Sequence, residues 1–110
     1  MVNEYGVQLD RNGYAPSIVH TSAGCFNCNR EQDLQRHEIY HGPYRQKSKA
    51  YGLWVRLCPE CHMKLHNKFP EWDRALKKVG EAACILEYDW TIQDFRDRFG
   101  KNYLEVTDES

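Results

Sequence analysis

Metal-binding side chains are concentrated in one stretch of the chain, residues 58–66, which reads CPECHMKLH. Two cysteines separated by two residues have the spacing with which a pair of thiolates holds a tetrahedral Zn²⁺. Two histidines four residues apart lie on one face of a helix. If a helix runs from about Cys61, then Cys61 and Leu65 share one face, and His62 and His66 share the next. The stretch therefore predicts a helix that directs a thiolate inward and two imidazoles to a cleft.

A second cysteine pair, Cys25 and Cys28, has the same spacing and is separated from Cys58 by 29 residues. Together with Cys61, these thiolates complete the donor set of a structural zinc site. The chain has only 110 residues and a modest core, so zinc binding would contribute to its folding. A Cys₂His₂ zinc finger within residues 58–66 is the simpler alternative, but the second pair leaves the histidines free for another role.

The compartment is predicted from several weak signals. Residues 1–10 lack the basic start and apolar core of a signal peptide, and no apolar run approaches the ~20 residues that span a membrane. The chain is 41% hydrophobic, and its mean hydropathy is −0.80. We therefore expect a cytoplasmic protein that does not contact membranes, with reduced cysteines rather than a disulfide framework. The solitary Cys84 is interpreted as a small buried thiol.

The residues between the cysteine pairs predict a β-hairpin. Residues 34–41 alternate so that His37 and His41 share one face of a strand while Glu38 lies on the other. Residues 53–57 alternate as a second strand that leads into Cys58. The basic segment 44–51 between the strands predicts a short helix or an ordered loop. With the helix from about Cys61, these elements form a ββα unit.

The flanking segments complete a single α+β domain over residues 1–110. Residues 1–16 predict an irregular arm with a hairpin turn at positions 10–13, and residues 17–20 predict a short strand. The lone His20 is interpreted as a structural or surface residue. Residues 17–68 form the predicted zinc-stapled core, residues 69–104 a helical extension, and residues 106–110 a frayed acidic tail.

Two helices are predicted in the extension. The first begins at Pro70 and ends near Asp89, and its apolar positions recur every three or four residues. These positions are Trp72, Leu76, Val79, Ala83 and Leu86. The second is capped by Thr91 with Asp94 three residues on, and it stops at Gly100. Its predicted buried edge consists of Ile92, Phe95 and Phe99.

Charge is distributed unevenly along the chain, although the net charge is only −1. Residues 30–68 hold eight Lys or Arg against four Asp or Glu, and the rest of the chain is net negative. A basic segment that also carries the metal-binding side chains is suited to tracking phosphates. Ordinary surface charge is the alternative explanation.

In combination, these motifs resemble the HNH endonucleases, whose ββα-metal motif is often held by two cysteine pairs. The matching segments read HEIYHG (residues 37–42), RQKS (45–48), YGLWV (51–55), CPECHMKLH (58–66) and GKNYL (100–104). They look most like a family of small HNH nucleases encoded by phages and prophages, over about residues 25–104. The resemblance implies a treble-clef-like core, metal-dependent hydrolysis of DNA phosphodiester bonds, and the cytoplasm of the host cell.

The resemblance also implies roles for individual residues. His37 stands at the family's strand ligand, and His62 and His66 stand at its helix ligands, for a catalytic divalent ion. Glu38 occupies the place of the general base, with His41 as a rival base, and the family's middle asparagine is missing. The side chains expected to hold DNA phosphates, without reading bases, are Arg45, Lys47, Lys49, Lys64 and Lys68.

Two other functions are compatible with the sequence. The first is a non-catalytic zinc-knuckle module, derived from the HNH fold, that binds nucleic acid or a protein. The second is a redox or zinc-storage protein, although neither cysteine pair lies in a βαβ pattern. The residues do not select among Mg²⁺, Mn²⁺, Ni²⁺ and Zn²⁺ for the catalytic ion. They also leave open the form of the nucleic acid and the oligomeric state.

Overall fold

A computed structural model describes residues 1–104, so the predicted tail at 106–110 lies outside the described residues. The fold is small and α+β, as predicted, with one two-stranded antiparallel sheet. None of the helices within residues 1–104 is both long and apolar enough to cross a membrane. The elements in chain order are β1 (Gln35–Glu38), a 3₁₀ turn (Gly42–Tyr44), α1 (Arg45–Ala50), β2 (Trp54–Leu57), α2 (Pro59–Asn67), α3 (Pro70–Tyr88) and α4 (Ile92–Phe99).

The hairpin formed by β1 and β2 pairs His37 with Val55 and Glu38 with Trp54. The predicted strand over residues 34–41 is too long, because β1 ends at Glu38. The backbone N–H of Tyr40 leaves the ladder and donates to Ser48 Oγ at 3.2 Å. The chain therefore turns away from the sheet before His41, which frees that side chain from the alternation of the strand.

The prediction of a strand at residues 17–20 is wrong. The backbone there is hydrogen-bonded to the hydroxyl of Ser17 rather than to a neighbouring strand. Ser17 Oγ accepts the backbone N–H groups of Val19 at 3.2 Å and His20 at 3.0 Å. It also donates to the carbonyl of Trp54 at 2.6 Å. Such local side-chain bonds compete with sheet formation. His20 is buried in this turn, 2.8 Å from Ser22 Oγ, which confirms its structural interpretation.

The N-terminal arm is irregular but anchored to the hairpin. A tight turn forms at the predicted place, where the Gly13 N–H donates to the Asp10 carbonyl at 2.9 Å. Farther along, Trp54 Nε1–H donates to the Ala15 carbonyl at 2.7 Å. Arg36 pairs with the Asp10 carboxylate at 2.8 Å. These contacts hold the arm against the outer face of the hairpin and position Tyr14 beside Glu38.

Helix α2 begins at Pro59, two residues earlier than predicted. Proline suits the first helical position, because its missing N–H has no partner there. Cys61 and Leu65 are buried, whereas His66 is exposed, as the predicted faces require. The helix thus directs one thiolate into the core and two imidazoles outward.

Helix α3 buries a face that matches the predicted one only in part. Its buried residues are Leu76, Gly80, Glu81 and Cys84, whereas Val79 and Leu86 are exposed. The ring of Tyr40 decides this orientation. Its hydroxyl donates to the Lys77 carbonyl at 2.5 Å, and a Cβ on Gly80 would lie only 2.8 Å from it. Gly80 and Cys84 therefore take the part of the buried face that the apolar periodicity assigns to Val79 and Leu86.

Helix α4 confirms the predicted capping box, with Thr91 Oγ1 accepting the N–H of Asp94 at 3.0 Å. Gly100 ends the helix at a positive φ of 77°. Phe95 and Phe99 are buried as predicted. Ile92 is 42% exposed, so its predicted burial is wrong.

Glu81 is a buried acid on α3, and its replacement tests the core. Its Oε1 accepts the Tyr103 N–H at 2.7 Å, but Oε2 has no partner in residues 1–104. Burial raises the pKa of Glu81, so the carboxyl stabilises the fold fully below pH 4.5 and loses that contribution as pH rises. We expect Glu81→Gln to add about 1 kcal/mol to the unfolding free energy at pH 8. Denaturant titrations at pH 4 and pH 8 should show the gain only at the higher pH; no gain there would contradict this interpretation.

Candidate metal centres

The first centre consists of Cys25, Cys28, Cys58 and Cys61, whose Sγ atoms all lie within 4.8 Å of one another. The Sγ atoms of Cys28 and Cys58 are 3.7 Å apart. Two thiolates at zinc bonds of about 2.3 Å in a tetrahedron are separated by about 3.8 Å. All five cysteines of the chain are free of disulfides in the described part. The cluster is close enough to hold a metal ion and is consistent with structural zinc.

The backbone N–H groups around the cluster favour the thiolate form of Cys25. Burial raises the pKa of the Cys25 thiol, but the N–H groups of Cys58, Cys28 and Asn27 outweigh it and lower that pKa to about 6. The side-chain amide of Asn27 also donates to Cys61 Sγ at 3.4 Å. Burial outweighs this donor at Cys61 and raises the pKa of that thiol to about 12, so of these two residues Cys25 is the one held as a thiolate, the form that ligates zinc.

The second centre consists of His37 on β1 and His62 and His66 on α2. One ring nitrogen from each residue lies within 4.8 Å of the other two. His37 is only 3% exposed, and its Nε2 has no hydrogen-bond partner within residues 1–104. An unpaired buried polar atom costs free energy, and a metal ion would satisfy it.

The imidazoles are held in the form that binds metals. Burial, followed by the charges of His41, His62 and His66, lowers the pKa of His37 to about 3. Burial also lowers the pKa of His62. The Nδ1 atom of His62 lies 2.7 Å from Gln35 Oε1, which fixes the ring and leaves Nε2 available. Both rings are therefore neutral at pH 7 and can donate a lone pair.

A cavity of about 340 Å³ opens beside this trio. In a regular strand Glu38 would face away from His41, but β1 ends at Glu38 and both side chains line the cavity. The lining residues are Tyr14, Arg36, His37, Glu38, His41, Arg45, His62 and His66. The sequence-predicted ligands and both candidate bases are therefore brought together in one place.

Glu38 is held from two sides. Its Oε1 accepts Arg45 Nε–H at 2.8 Å, and its Oε2 accepts the hydroxyl of Tyr14. Burial and the neighbouring Glu38 raise the pKa of Tyr14 to about 12, so this hydroxyl remains a donor at neutral pH. Each carboxylate oxygen keeps a second lone pair. Glu38 is thus fixed in position without losing its capacity to accept a proton.

His41 contacts Asp73 on helix α3, which lies outside the segment between Cys25 and Cys61. Its Nε2 lies 3.1 Å from Asp73 Oδ1, and Asp73 Oδ2 pairs with Lys77 Nζ at 2.9 Å. His37, His41 and Asp73 also offer one ligand atom each within 4.8 Å. Burial raises the pKa of Asp73, but the hydrogen bonds from Lys77 and His41 outweigh it and lower that pKa. The side chain is therefore a carboxylate at neutral pH.

The five basic residues predicted to hold phosphates differ in their surroundings. Arg45 lines the cavity. Lys47 Nζ donates to the Arg98 carbonyl at 2.9 Å, and Lys49 is buried with its Nζ 4.8 Å from the Tyr14 ring centre. Lys64 is half-buried and Lys68 is exposed. Lys47 and Lys49 are thus engaged within the protein, whereas Arg45 lies at the candidate site.

Three further residues at the site were not identified from the sequence. Tyr14 and Arg36 line the cavity, and the Arg36 guanidinium lies 4.2 Å from the centre of the Tyr14 ring. Asp73 lies in the first turn of α3, where acidic residues are common, and no local pattern marks it as a site residue. None of the family models, curated proteins or solved structures compared with the chain matches it.

Proposed function

We propose that this chain is a metal-dependent endonuclease of the HNH type that hydrolyses DNA phosphodiester bonds. The observation that carries the proposal is the convergence of His37, His62 and His66 at a cavity, with the buried Nε2 of His37 unpartnered in the described part. Three imidazoles leave coordination positions open for phosphate oxygens and water. The ion would supply Lewis-acid stabilisation of the charge that develops on the phosphate. A metal ion with these open positions is suited to the hydrolysis of a phosphodiester bond.

The arrangement of the ligands supports the HNH assignment. One ligand comes from a hairpin strand and two come from the helix that follows the hairpin, which is the order of a ββα-metal motif. The four-cysteine cluster lies at both ends of the same segment, where bound Zn²⁺ would connect the chain before β1 to α2. We therefore assign structural zinc to the cysteines and a catalytic Mg²⁺, Mn²⁺, Ni²⁺ or Zn²⁺ to the histidines.

The remaining cavity residues have roles that follow from their charges. Glu38 and His41 are the side chains that can accept a proton from the attacking water. The Arg45 guanidinium, 58% exposed and paired with Glu38, is available to a backbone phosphate. A single phosphate clamp of this kind contacts DNA without reading bases, so we expect low sequence specificity.

A non-catalytic module that binds nucleic acid or protein is the second candidate. The position of the family's middle asparagine falls near Leu53, which is fully buried in the core. Both oxygens of Glu38 are already hydrogen-bonded. If these departures abolish catalysis, the zinc core and Arg45 would remain as a binding surface.

Glu38→Gln is expected to lower the rate of DNA cleavage about 10²–10⁴-fold at saturating metal, because the amide keeps the shape but cannot accept the proton. The rate is measured on supercoiled plasmid over a series of metal concentrations. Glu31→Gln, the same change at an exposed acid just before β1 and outside the cavity lining, serves as the matched control. A Glu38→Gln rate within threefold of wild type would remove Glu38 from the reaction.

The proposed function is tested by incubating zinc-loaded protein with supercoiled plasmid and added Mg²⁺, Mn²⁺ or Ni²⁺. We expect conversion to nicked or linear DNA that requires the added ion and stops with a chelator. DNA binding without cleavage under every ion would favour the binding module instead. Single-stranded and branched DNA in parallel reactions would define the substrate.

A further inference from the structure

Asp73 on helix α3, which lies outside residues 25–61, brings a carboxylate to His41 at the edge of the cavity. Its Oδ1 is 3.1 Å from His41 Nε2, and with a nitrogen of His37 the three ligand atoms lie within 4.8 Å. Two atoms bound to one ion at about 2.0–2.2 Å lie about 3.0–3.5 Å apart. The spacing of His41 and Asp73 is therefore that of neighbouring ligands on a metal.

The buried nitrogen of His37 is a second observation, which this group shares with the trio. An ion pair between His41 and Asp73 satisfies those two residues but leaves the buried Nε2 of His37 unpartnered in residues 1–104. Lys77 occupies Oδ2 of Asp73 and leaves Oδ1 to face the imidazoles. The group thus contains an anionic oxygen and a buried nitrogen without a hydrogen-bond partner in residues 1–104. One cation could be coordinated by both atoms.

We infer that His37, His41 and Asp73 form an alternative position for a divalent cation, which competes with the His37, His62 and His66 position for the ring of His37. Its carboxylate sets it apart from the all-imidazole trio, because oxygen ligands suit Mn²⁺ whereas imidazoles suit Zn²⁺ and Ni²⁺. The inference deepens the proposed function and rests on it for the use made of the ion. With His41 bound to a cation, Glu38 is the residue left to accept a proton.

The test measures Mn²⁺ binding without DNA. Zinc-loaded wild type, Asp73→Ala and His62→Ala are titrated with Mn²⁺, and free Mn²⁺ is read by electron paramagnetic resonance. Removal of the carboxylate is expected to weaken Mn²⁺ binding about tenfold or more. His62→Ala removes a ligand of the trio alone, so this variant is expected to lose less Mn²⁺ affinity than Asp73→Ala does. Glu71→Ala removes the same charge from an exposed position in the same helical turn and should bind as wild type does.

Several results would overturn the inference. They are a wild type that binds no Mn²⁺, an Asp73→Ala variant that binds like Glu71→Ala, and a His62→Ala variant that loses Mn²⁺ as completely as Asp73→Ala. Zinc content and circular dichroism show whether each variant is folded, and Asp73→Asn replaces Asp73→Ala if the latter is not. Plasmid that stays intact while Mn²⁺ binding depends on Asp73 would contradict the nuclease proposal and leave this inference standing.

Discussion

Loss of zinc from the four-cysteine centre is expected to unfold the protein. Cys58 is fully buried and joins β2 to α2, and the centre connects that junction to the loop around Cys25. Structural zinc contributes roughly 10–16 kcal/mol of apparent binding free energy, whereas a domain is stable by only about 5–15 kcal/mol. Cys58→Ser should therefore abolish cooperative unfolding and lower the bound zinc well below one equivalent.

The matched control is Cys84→Ala, which removes a buried thiol that lies outside the cluster. This variant should keep its zinc and lose only about 1 kcal/mol of stability. Metal analysis and thermal melts of reduced protein, with and without a chelator, provide the readout. A Cys58→Ser protein with the wild-type melting temperature, or a folded wild type that contains no zinc, would contradict the structural role of the centre.

The second large effect is expected from His66→Ala. His66 is exposed at the end of α2, so its removal should leave the fold and the zinc intact. It takes one of three ligands from the proposed catalytic ion, and even outer-shell changes at metal sites cost about 10–100-fold in affinity or activity. We expect cleavage to fall at least about 100-fold. Met63→Ala, on the same helix and 63% exposed, is the control that should cut like wild type.

The parts of the fold that could be predicted depend on local chemistry. The capping box of Thr91 and Asp94 and the proline start of α3 use neighbours within one turn. The cysteine cluster could be predicted because the ligand spacing of zinc is short and specific. The faces of α2 follow from two residues at helical spacing, Cys61 and Leu65.

The parts that could not be predicted depend on contacts between distant residues. The end of β1 is set by Ser48, which captures the N–H of Tyr40. The same Tyr40 selects the buried face of α3 by packing on Gly80. Tyr14 reaches the cavity from the arm and Asp73 reaches His41 from α3, and no periodicity marks either residue. Contacts between distant parts of the chain determine these features, and a local sequence pattern does not encode such contacts.

The central claim is metal-dependent phosphodiester hydrolysis at the histidine trio, and plasmid cleavage tests it most directly. Zinc-loaded wild type, His66→Ala and Met63→Ala are compared on supercoiled DNA with Mg²⁺, Mn²⁺ or Ni²⁺ at equal protein concentration. The account predicts cleavage by wild type and by Met63→Ala with at least one ion, and a loss of at least about 100-fold in His66→Ala with zinc and fold retained. Intact plasmid with wild type under every ion, or cleavage by His66→Ala at the wild-type rate, would contradict it.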